Sequence, residues 1–260
     1  LISKEQAIEN YNKIKQFVKN TIAEKAPIIP VSAQQEINIE KIKDFLMEIS
    51  IPKRDSKSDP EFLIARSFDI NKPGTKIENL HGGVLAGILK KGTLKIGDEI
   101  EIKPGVTKKI ANQITYHKIK TKIVSIFRGK YQIKEATPGG SLAFETELDN
   151  ILTKTDYLSG NIASKIRTLP EISDNINVKY SLFDEIFGEE KNLKVDELKP
   201  SELIMLSINT TTTVGKIEKI NKNEIKLSLR IPIVPIKGDS LGLARNINGH
   251  WRLIGFGEIL

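Results

Sequence analysis

Short runs of β-forming residues, each closed by a glycine, proline or asparagine turn, fill the chain from residue 61 onward and constrain its fold most strongly. One such run, 99–102, follows a Gly-Asp pair and is expected to stop at Pro104 and Gly105. Closely spaced short strands are typical of β-sandwiches and barrels. The pattern separates into a region over 61–173 and another over 174–260. We therefore predict a mostly β protein with two β domains.

The first 51 residues read instead as a helix, a strand and a second helix. Ser3, with a glutamine three residues later, has the spacing of a capping box, and Asn38 is placed to cap the second helix. Between them, 27–31 is a β-branched run typical of a buried parallel strand. One strand cannot make a sheet, so we expect residues 1–51 to be the remnant of an α/β domain with exposed apolar helix faces. The polar stretch 52–60, bracketed by prolines, is typical of a linker.

The overall composition excludes several classes of protein. Hydrophobic residues make up 39% of the chain and charged residues 28%, which is typical of a folded globular protein. No apolar run approaches the ~20 residues of a membrane helix, no signal peptide pattern is present, and there is no cysteine for a disulfide. We therefore expect a cytoplasmic protein. The three histidines lack the spacing of metal ligands, so no metal site is predicted in this chain.

The charge balance favours a polyanionic partner. The formal net charge is +7 and the isoelectric point is near 9.3. A basic surface of this kind attracts RNA, although lysine-rich solvated surfaces also occur in proteins that bind no nucleic acid. Charge alone does not decide between the two.

Several strings in the β regions resemble one protein family. Residues 65–74 read ARSFDINKPG, residues 80–84 read LHGGV, residues 96–105 read IGDEIEIKPG, and residues 250–255 read HWRLIG. In this order they are similar to the gamma subunits of the archaeal/eukaryotic translation initiation factor two, a translational GTPase of the elongation factor Tu type. NKPG after RSFD, together with the terminal HWRLIG, is the specific part of the resemblance, which covers nearly the whole chain.

The resemblance implies a fold and a function. The fold is a partial α/β GTPase-domain remnant followed by two β-barrels, as in domains 2 and 3 of elongation factor Tu-like proteins. The function is GTP-dependent binding of methionyl initiator tRNA and its delivery to the small ribosomal subunit. The implied partners are the alpha and beta subunits of the same factor, in a heterotrimer, and the implied cofactors of the full-length protein are GTP and Mg²⁺.

GTP hydrolysis is expected of the full-length protein and not of this chain alone. The Gly-rich phosphate loop, the switch regions and the NKxD motif are not among these residues, which begin at Leu1. We therefore expect a fragment that contains no catalytic residue and does not bind GTP or Mg²⁺ by itself. Ser32, Ala33 and Gln34 resemble the last guanine loop of the family, in which a backbone N–H meets the guanine carbonyl. Without the resemblance, Ser-Ala-Gln is also a common cap sequence.

Five residues of the first β region are predicted to bind tRNA: Arg66, Asn71, Lys72, Gly82 and Gly83. Locally, residues 71–74 are a turn in which proline sets φ and glycine supplies a positive φ. The resemblance adds that the two cations and the asparagine line the tRNA-facing side of the first barrel. Cations suit phosphate, and adjacent glycines let a backbone approach a ligand closely.

Two other interpretations remain open. One is a stand-alone β-barrel module that binds RNA or protein and has no GTPase domain. The other is a carrier similar to the selenocysteine-specific elongation factors, which keeps the general barrel plan. We do not expect NKPG and HWRLIG together in such a carrier.

Overall fold

The computed structural model describes residues 2–19, 21–111, 113–186 and 193–260. The chain divides into two compact units, Leu1–Lys53 and Arg54–Leu260. The second unit holds two closed β-barrels, so the prediction of a mostly β protein with two barrels is confirmed.

The regular structure of the first unit is helical, with α1 over Lys4–Phe17 and α2 over Ile39–Glu48. The capping box of α1 is confirmed, because the Ser3 hydroxyl accepts from the backbone N–H of Gln6 (3.3 Å) and the Ser3 N–H donates to the Gln6 side chain (3.1 Å). Asn38 is the N-cap residue of α2, as predicted, but the prediction that its side chain caps the helix is wrong. Asn38 precedes the helix with φ of 58°, and its side chain donates to the carbonyl oxygen of Pro30 at 2.7 Å instead of accepting from the helix.

The strand predicted over 27–31 does not form among the described residues. The segment is irregular, and the β pairing described in this unit is an isolated bridge between Ser32 and Ile37. A run of β-branched residues needs a partner strand for its backbone groups, and this unit supplies none among the residues described. Neither helix buries a described side chain; on the apolar faces, Ile14 of α1 is 44% exposed and Leu46 of α2 is 59% exposed. The expected exposure of the apolar faces is therefore confirmed.

The described part of the first β region forms nine strands: β1 (Glu61–Phe68), β2 (Val84–Lys91), β3 (Leu94–Lys95), β4 (Glu99–Ile110), β5 (Gln113–Arg128), β6 (Tyr131–Ile133), β7 (Glu135–Ala136), β8 (Ser141–Thr146) and β9 (Ile162–Lys165). Six close a barrel in the order β4-β9-β1-β2-β8-β5, with β5 pairing back to β4. β6 extends the sheet beside β5, and β3 pairs with β7 separately. Three short 3₁₀ turns, Ile77–Asn79, Asn150–Leu152 and Lys154–Asp156, lie in its loops. Its core is centred on Phe62 and Phe144, whose rings lie 4.3 Å apart and are fully buried.

β4 and β5 project beyond this barrel as a two-stranded ribbon, residues 106–110 and 113–117, which we call the β4–β5 ribbon. The expected stop at Pro104 and Gly105 is wrong, because an irregularity in register between Ile102 and Val106 takes up both residues and the strand continues. The Gly105 N–H donates to the side chain of Asn161 at 2.7 Å. The Pro-Gly pair therefore redirects the strand, as a bulge does, instead of ending it.

In the second barrel the described residues form six strands: β10 (Ser173–Leu182), β11 (Leu203–Ile208), β12 (Thr211–Asn221), β13 (Glu224–Ile233), β14 (Ser240–Ile247) and β15 (His250–Ile259). They close in the order β10-β13-β12-β11-β14-β15. Alternate residues point inward and form an aliphatic core that includes Val178, Leu206 and Leu243, each fully buried.

The two barrels pack against each other within the second unit. A small apolar cluster joins Leu63 of the first barrel, Leu169 of the connecting segment and Val234 of the second barrel. Lys90 on β2 forms an ion pair with Asp239, a carboxylate buried in the second barrel. These contacts position the β4–β5 ribbon beside β12 and β13.

Candidate nucleic-acid interface

The loop between β1 and β2 carries most of the predicted tRNA-binding residues, and Asn71 holds it closed. The Asn71 amide nitrogen donates to the carbonyl oxygen of His81, and its oxygen accepts from the His81 N–H, both at 2.8 Å. The same amide nitrogen and the Asn71 backbone N–H donate to Asp69 at 2.8 and 2.9 Å. Both amide hydrogens are thus occupied. This network favours a loop-shaping role for Asn71, and its contact with tRNA stays a prediction.

Lys72 lies on the turn that the sequence indicated. Its carbonyl oxygen accepts from the N–H and the hydroxyl of Thr75 (3.1 and 2.7 Å), and Gly74 has φ of 84°. The Lys72 side chain is exposed, and no carboxylate pairs with its ammonium group among the described residues. An unpaired cation on a hydrogen-bonded turn can meet a phosphate without first breaking an ion pair.

Arg66 is oriented by a carboxylate. Its Nε donates to the two oxygens of Asp156 at 2.8 and 3.0 Å, and the Ser67 N–H donates to the same carboxylate at 3.1 Å. The hydrogen bond from Arg66 is the main cause that lowers the pKa of Asp156, and in return it raises the pKa of Arg66. The Arg66 side chain is 68% exposed, and its terminal nitrogens have no hydrogen-bond partner among the described residues. The guanidinium is thus held by one nitrogen and free at the two that suit phosphate.

Gly82 and Gly83 permit a close approach, and the neighbour in this structure is the barrel itself. A Cβ atom at Gly82 would lie 1.9 Å from the carbonyl oxygen of Thr146. At Gly83 it would lie 2.4 Å from the side chain of Thr153, which is fully buried. The two glycines therefore have a packing requirement of their own, and their contact with tRNA remains a prediction.

A half-buried carboxylate next to this loop, Glu145, was missed by sequence reasoning. His81 Nδ1 lies 2.7 Å from Glu145 Oε1, and the Ser125 hydroxyl donates to Glu145 Oε2 at 2.6 Å. Burial raises the pKa of Glu145, but the hydrogen bonds from Ser125 and His81 outweigh it, so the pKa is lowered overall. These contacts tie the end of the loop to β5 and β8.

Sequence reasoning also missed the two carboxylates that accept hydrogen bonds from Asn71 and Arg66, which belong to Asp69 and Asp156. Asp69, two residues before Asn71, has the spacing of an Asx turn, so a local signal for it existed. Asp156 is 90 residues from Arg66 and has no local signal. The fold alone brings that pair together.

The predicted guanine loop is a tight turn in the first unit. Ser32 and Ile37 exchange backbone hydrogen bonds at 3.2 and 3.0 Å, and the Glu36 N–H donates to Ala33 at 3.3 Å. Ser32 is half-buried, whereas Ala33 and Gln34 are exposed. The backbone N–H groups of Ala33 and Gln34 have no partner among the described residues, which fits a loop that offers N–H groups to a carbonyl oxygen.

Within the described ranges, no group of three or more His, Asp and Glu side chains is arranged to hold a metal ion. In the same ranges, none of the helices has the length and apolar character needed to cross a bilayer.

Comparison with known proteins relates the chain to translation factors. Residues 174–259 match the family described as "Initiation factor eIF2 gamma, C terminal". Translation initiation factor 2 subunit gamma is 43% identical in Pyrococcus horikoshii and 44% identical in Methanocaldococcus jannaschii, over the whole of this chain. The chain spans 63% of the length of each relative.

Solved structures share the fold at lower identity. The elongation factor SelB of Methanococcus maripaludis in its apo form matches with a TM-score of 0.75 and 18% identity, over 99% of this chain and 56% of that chain. A bacterial selenocysteine-specific elongation factor, EF-Sec, matches with a TM-score of 0.74 and 20% identity, over 99% of this chain and 38% of that chain. The chain thus shares its fold with these elongation factors, whereas identity above 40% along the full chain is found with the gamma subunits. The chain belongs to the family of translation initiation factor 2 gamma subunits.

Proposed function

We propose that the protein containing this chain binds methionyl initiator tRNA under the control of GTP and delivers it to the small ribosomal subunit in the cytoplasm. The observation that carries the proposal is the 43–44% identity to gamma subunits of translation initiation factor 2 along the whole chain. In this proposal the two barrels are the binding platform for tRNA and for the other subunits. The alpha subunit docks on the first barrel and the beta subunit on the GTPase domain.

The geometry of β1 and its loop supports a contact with the acceptor end of the tRNA. Arg66 offers terminal guanidinium nitrogens while Asp156 fixes its Nε, and Lys72 offers an unpaired ammonium on a closed turn. Phosphates of an acceptor end attract such cations and fix the position of the RNA without reading its sequence. Asn71, Gly82 and Gly83 keep the loop in the shape that places the cations.

The nucleotide is assigned to the first unit. SelB of Methanococcus maripaludis has been solved in complex with the GTP analogue GPPNHP. We assign the exposed N–H groups of Ala33 and Gln34 to the guanine carbonyl, with Ser32 closing the turn behind them. GTP hydrolysis by the whole protein would supply the switch between tRNA binding and release.

The test compares two lysine variants of the complete factor. Lys72→Ala removes an unpaired cation from the proposed interface, and Lys179→Ala removes an exposed cation from the outside of the second barrel. Affinity for methionyl initiator tRNA is measured at several salt concentrations, with thermal melting as a check on folding. We expect Lys72→Ala to weaken binding and to lower the slope of log affinity against log salt by roughly 0.7–0.9, the value for one phosphate contact. Lys179→Ala should leave both unchanged.

Arg66→Ala gives a second, independent readout. The Arg66–Asp156 pair is exposed, so losing it should change folding stability little. Weaker tRNA binding with an unchanged melt supports the assignment. Unchanged affinity and slope in both Arg66→Ala and Lys72→Ala would refute the tRNA contact, and tight binding of selenocysteinyl-tRNA instead would favour a SelB-like carrier.

A further inference from the structure

A groove runs between the β4–β5 ribbon and strands β12 and β13 of the second barrel. Its volume is about 620 Å³, within the ~300–1,000 Å³ typical of ligand pockets. Lys109 and Tyr116 line it from the ribbon, and Thr212 and Arg230 line it from the second barrel. An adjoining cavity of about 260 Å³ shares Tyr116 and Thr212 and extends the groove along the barrel junction.

The charged side chains that line this groove are all positive among the described residues. No carboxylate lines the groove or the adjoining cavity among the residues that the structure describes. Lys109 and Arg230 are exposed, and within the same residues neither has an ion-pair partner. The stretch 102–134, which contains the ribbon, holds eight lysines and one arginine and no aspartate or glutamate, although the whole chain has 33 acids against 40 cations. The excess positive charge of the chain is therefore concentrated here, and a concave surface of one sign focuses its field on an anionic ligand.

The uncharged residues that line the groove and the adjoining cavity favour RNA over an acidic peptide as the anionic ligand. Tyr116 is half-buried in the wall, and this burial raises the pKa of its phenol. The Tyr157 hydroxyl lies 3.2 Å from the Thr107 backbone nitrogen and 3.1 Å from the Thr107 hydroxyl, so a second ring is fixed at the adjoining cavity. Single-stranded RNA uses cations for its phosphates, aromatic faces for its bases and hydroxyl groups for its riboses. An acidic peptide would need only the cations.

We propose that this groove binds a short single-stranded segment of RNA, with Lys109 and Arg230 against phosphates and Tyr116 stacked on a base. The site lies at the junction of the barrels, and the tRNA-binding residues proposed on β1 and its loop are not among the described residues that line it. Tyr157 of the adjoining cavity is next in sequence to Asp156, the partner of Arg66. The proposal therefore goes beyond the proposed function, and it can hold whether or not Arg66 and Lys72 contact tRNA.

The experiment uses the whole 260-residue chain and a short fluorescein-labelled oligouridine, with anisotropy measured over a range of salt concentrations. Lys109→Ala/Arg230→Ala removes both groove cations. The matched control, Lys179→Ala/Lys219→Ala, removes the same charge from exposed positions on the outside of the second barrel that are unpaired among the described residues. We expect the groove variant to lower the salt slope by about 1.4, from two contacts at ~0.7 each on a single strand, and the control to retain the slope of the parent chain.

The aromatic contact is tested without changing the charge. Tyr116→Leu keeps apolar bulk in the wall and removes the ring, and it should weaken binding at least about fivefold, whereas Tyr116→Phe should bind like the parent chain. Thermal melting checks that each variant is folded. Equal losses in the groove and control variants, or full affinity in folded Tyr116→Leu, would overturn the proposal. So would a fluorescein-labelled polyglutamate peptide that binds more tightly than the RNA and loses its binding in the groove variant, since the partner would then be an acidic protein segment.

Discussion

Replacing Lys103 by methionine should destabilise the paired barrels more than any exposed substitution. Lys103 is only 2% exposed. Its ammonium donates to the carbonyl oxygens of Leu169 and Pro170 (3.2 and 3.0 Å) and to the carboxylate of Glu171 (3.0 Å). It also lies 3.7 Å from the carboxylate of Glu101, which is fully buried. One buried cation thus joins β4 to the segment that leads into the second barrel.

The expected magnitude follows from what methionine leaves behind. The side-chain volume is nearly kept, so the loss is electrostatic. Glu101 would retain Lys118 at 3.9 Å, and one of its oxygens already lacks a hydrogen-bond partner among the described residues. Removing one partner of a buried ion pair costs about 3–5 kcal/mol. At roughly 2–4 °C per kcal/mol for a protein of this size, the melting temperature should fall by roughly 6–20 °C.

Thermal unfolding followed by circular dichroism measures this fall, and two further variants locate its origin. Glu171 is 81% exposed, and the hydrogen bond from Lys103 lowers its pKa, so Glu171→Gln should change the melt little because solvent screens that pair. Glu101→Gln combined with Lys103→Met removes both buried charges and should recover much of the stability lost by Lys103→Met alone. If Lys103→Met melts like Glu171→Gln, the buried pair contributes nothing and the reasoning fails.

Two more predictions concern the loop after β1. Gly82→Ala should destabilise the first barrel by about 1–3 kcal/mol in urea unfolding, because the added methyl group would clash with the backbone of Thr146. Unchanged stability would show that β8 shifts at no cost to accommodate the methyl group. The pKa of Asp156 is lowered in the folded state, so its ion pair stabilises fully above its ordinary pKa of ~3.9 and the stabilisation is lost as pH falls through the lower folded value. Because the pair is exposed, the difference in unfolding free energy between the parent chain and Asp156→Asn should be small; it should shrink further as pH falls from about 5 through the lowered folded pKa, and a constant difference would exclude this linkage.

The fold was predictable where local pattern and tertiary structure agree. Short β-forming runs closed by turn residues predicted a mostly β chain with two barrels, which is observed, and the Ser3 capping box formed as expected. Prediction failed where a tertiary partner decides the outcome. The segment 27–31 has the composition of a strand and stays irregular without a partner, and the Pro104-Gly105 pair has the composition of a stop and forms an irregularity in register inside a strand.

The candidate site was predictable as a list of cations and turn residues, but not as a set of roles. Asn71 and Lys72 are neighbours in one motif, yet the Asn71 amide hydrogens are both used to close the loop while the Lys72 ammonium is unpaired among the described residues. The sequence could not distinguish the roles of Asn71 and Lys72, because the role of Asn71 depends on its hydrogen bonds with the backbone of His81, ten residues along the chain. The groove at Tyr116 carries no motif at all, since its two walls come from different barrels.

The cations discussed above fall into two groups, those paired with carboxylates and those without a carboxylate partner among the described residues. Substitutions in the two groups are expected to have different effects on stability and on RNA binding. Lys90 pairs with the buried Asp239 across the barrel junction, and Lys103 donates to the carbonyl oxygens of the segment that leads into the second barrel, so these two cations hold the barrels together. Lys109 and Arg230 face open space with no carboxylate among the described residues, so their charge is available to a ligand. Variants of the first kind should lower the melting temperature while leaving the salt slope of RNA binding unchanged in the folded protein. Variants of the second kind should lower the salt slope at an unchanged melting temperature. A variant of either kind that lowered both the salt slope and the melting temperature would show that the cations do not separate into these two groups.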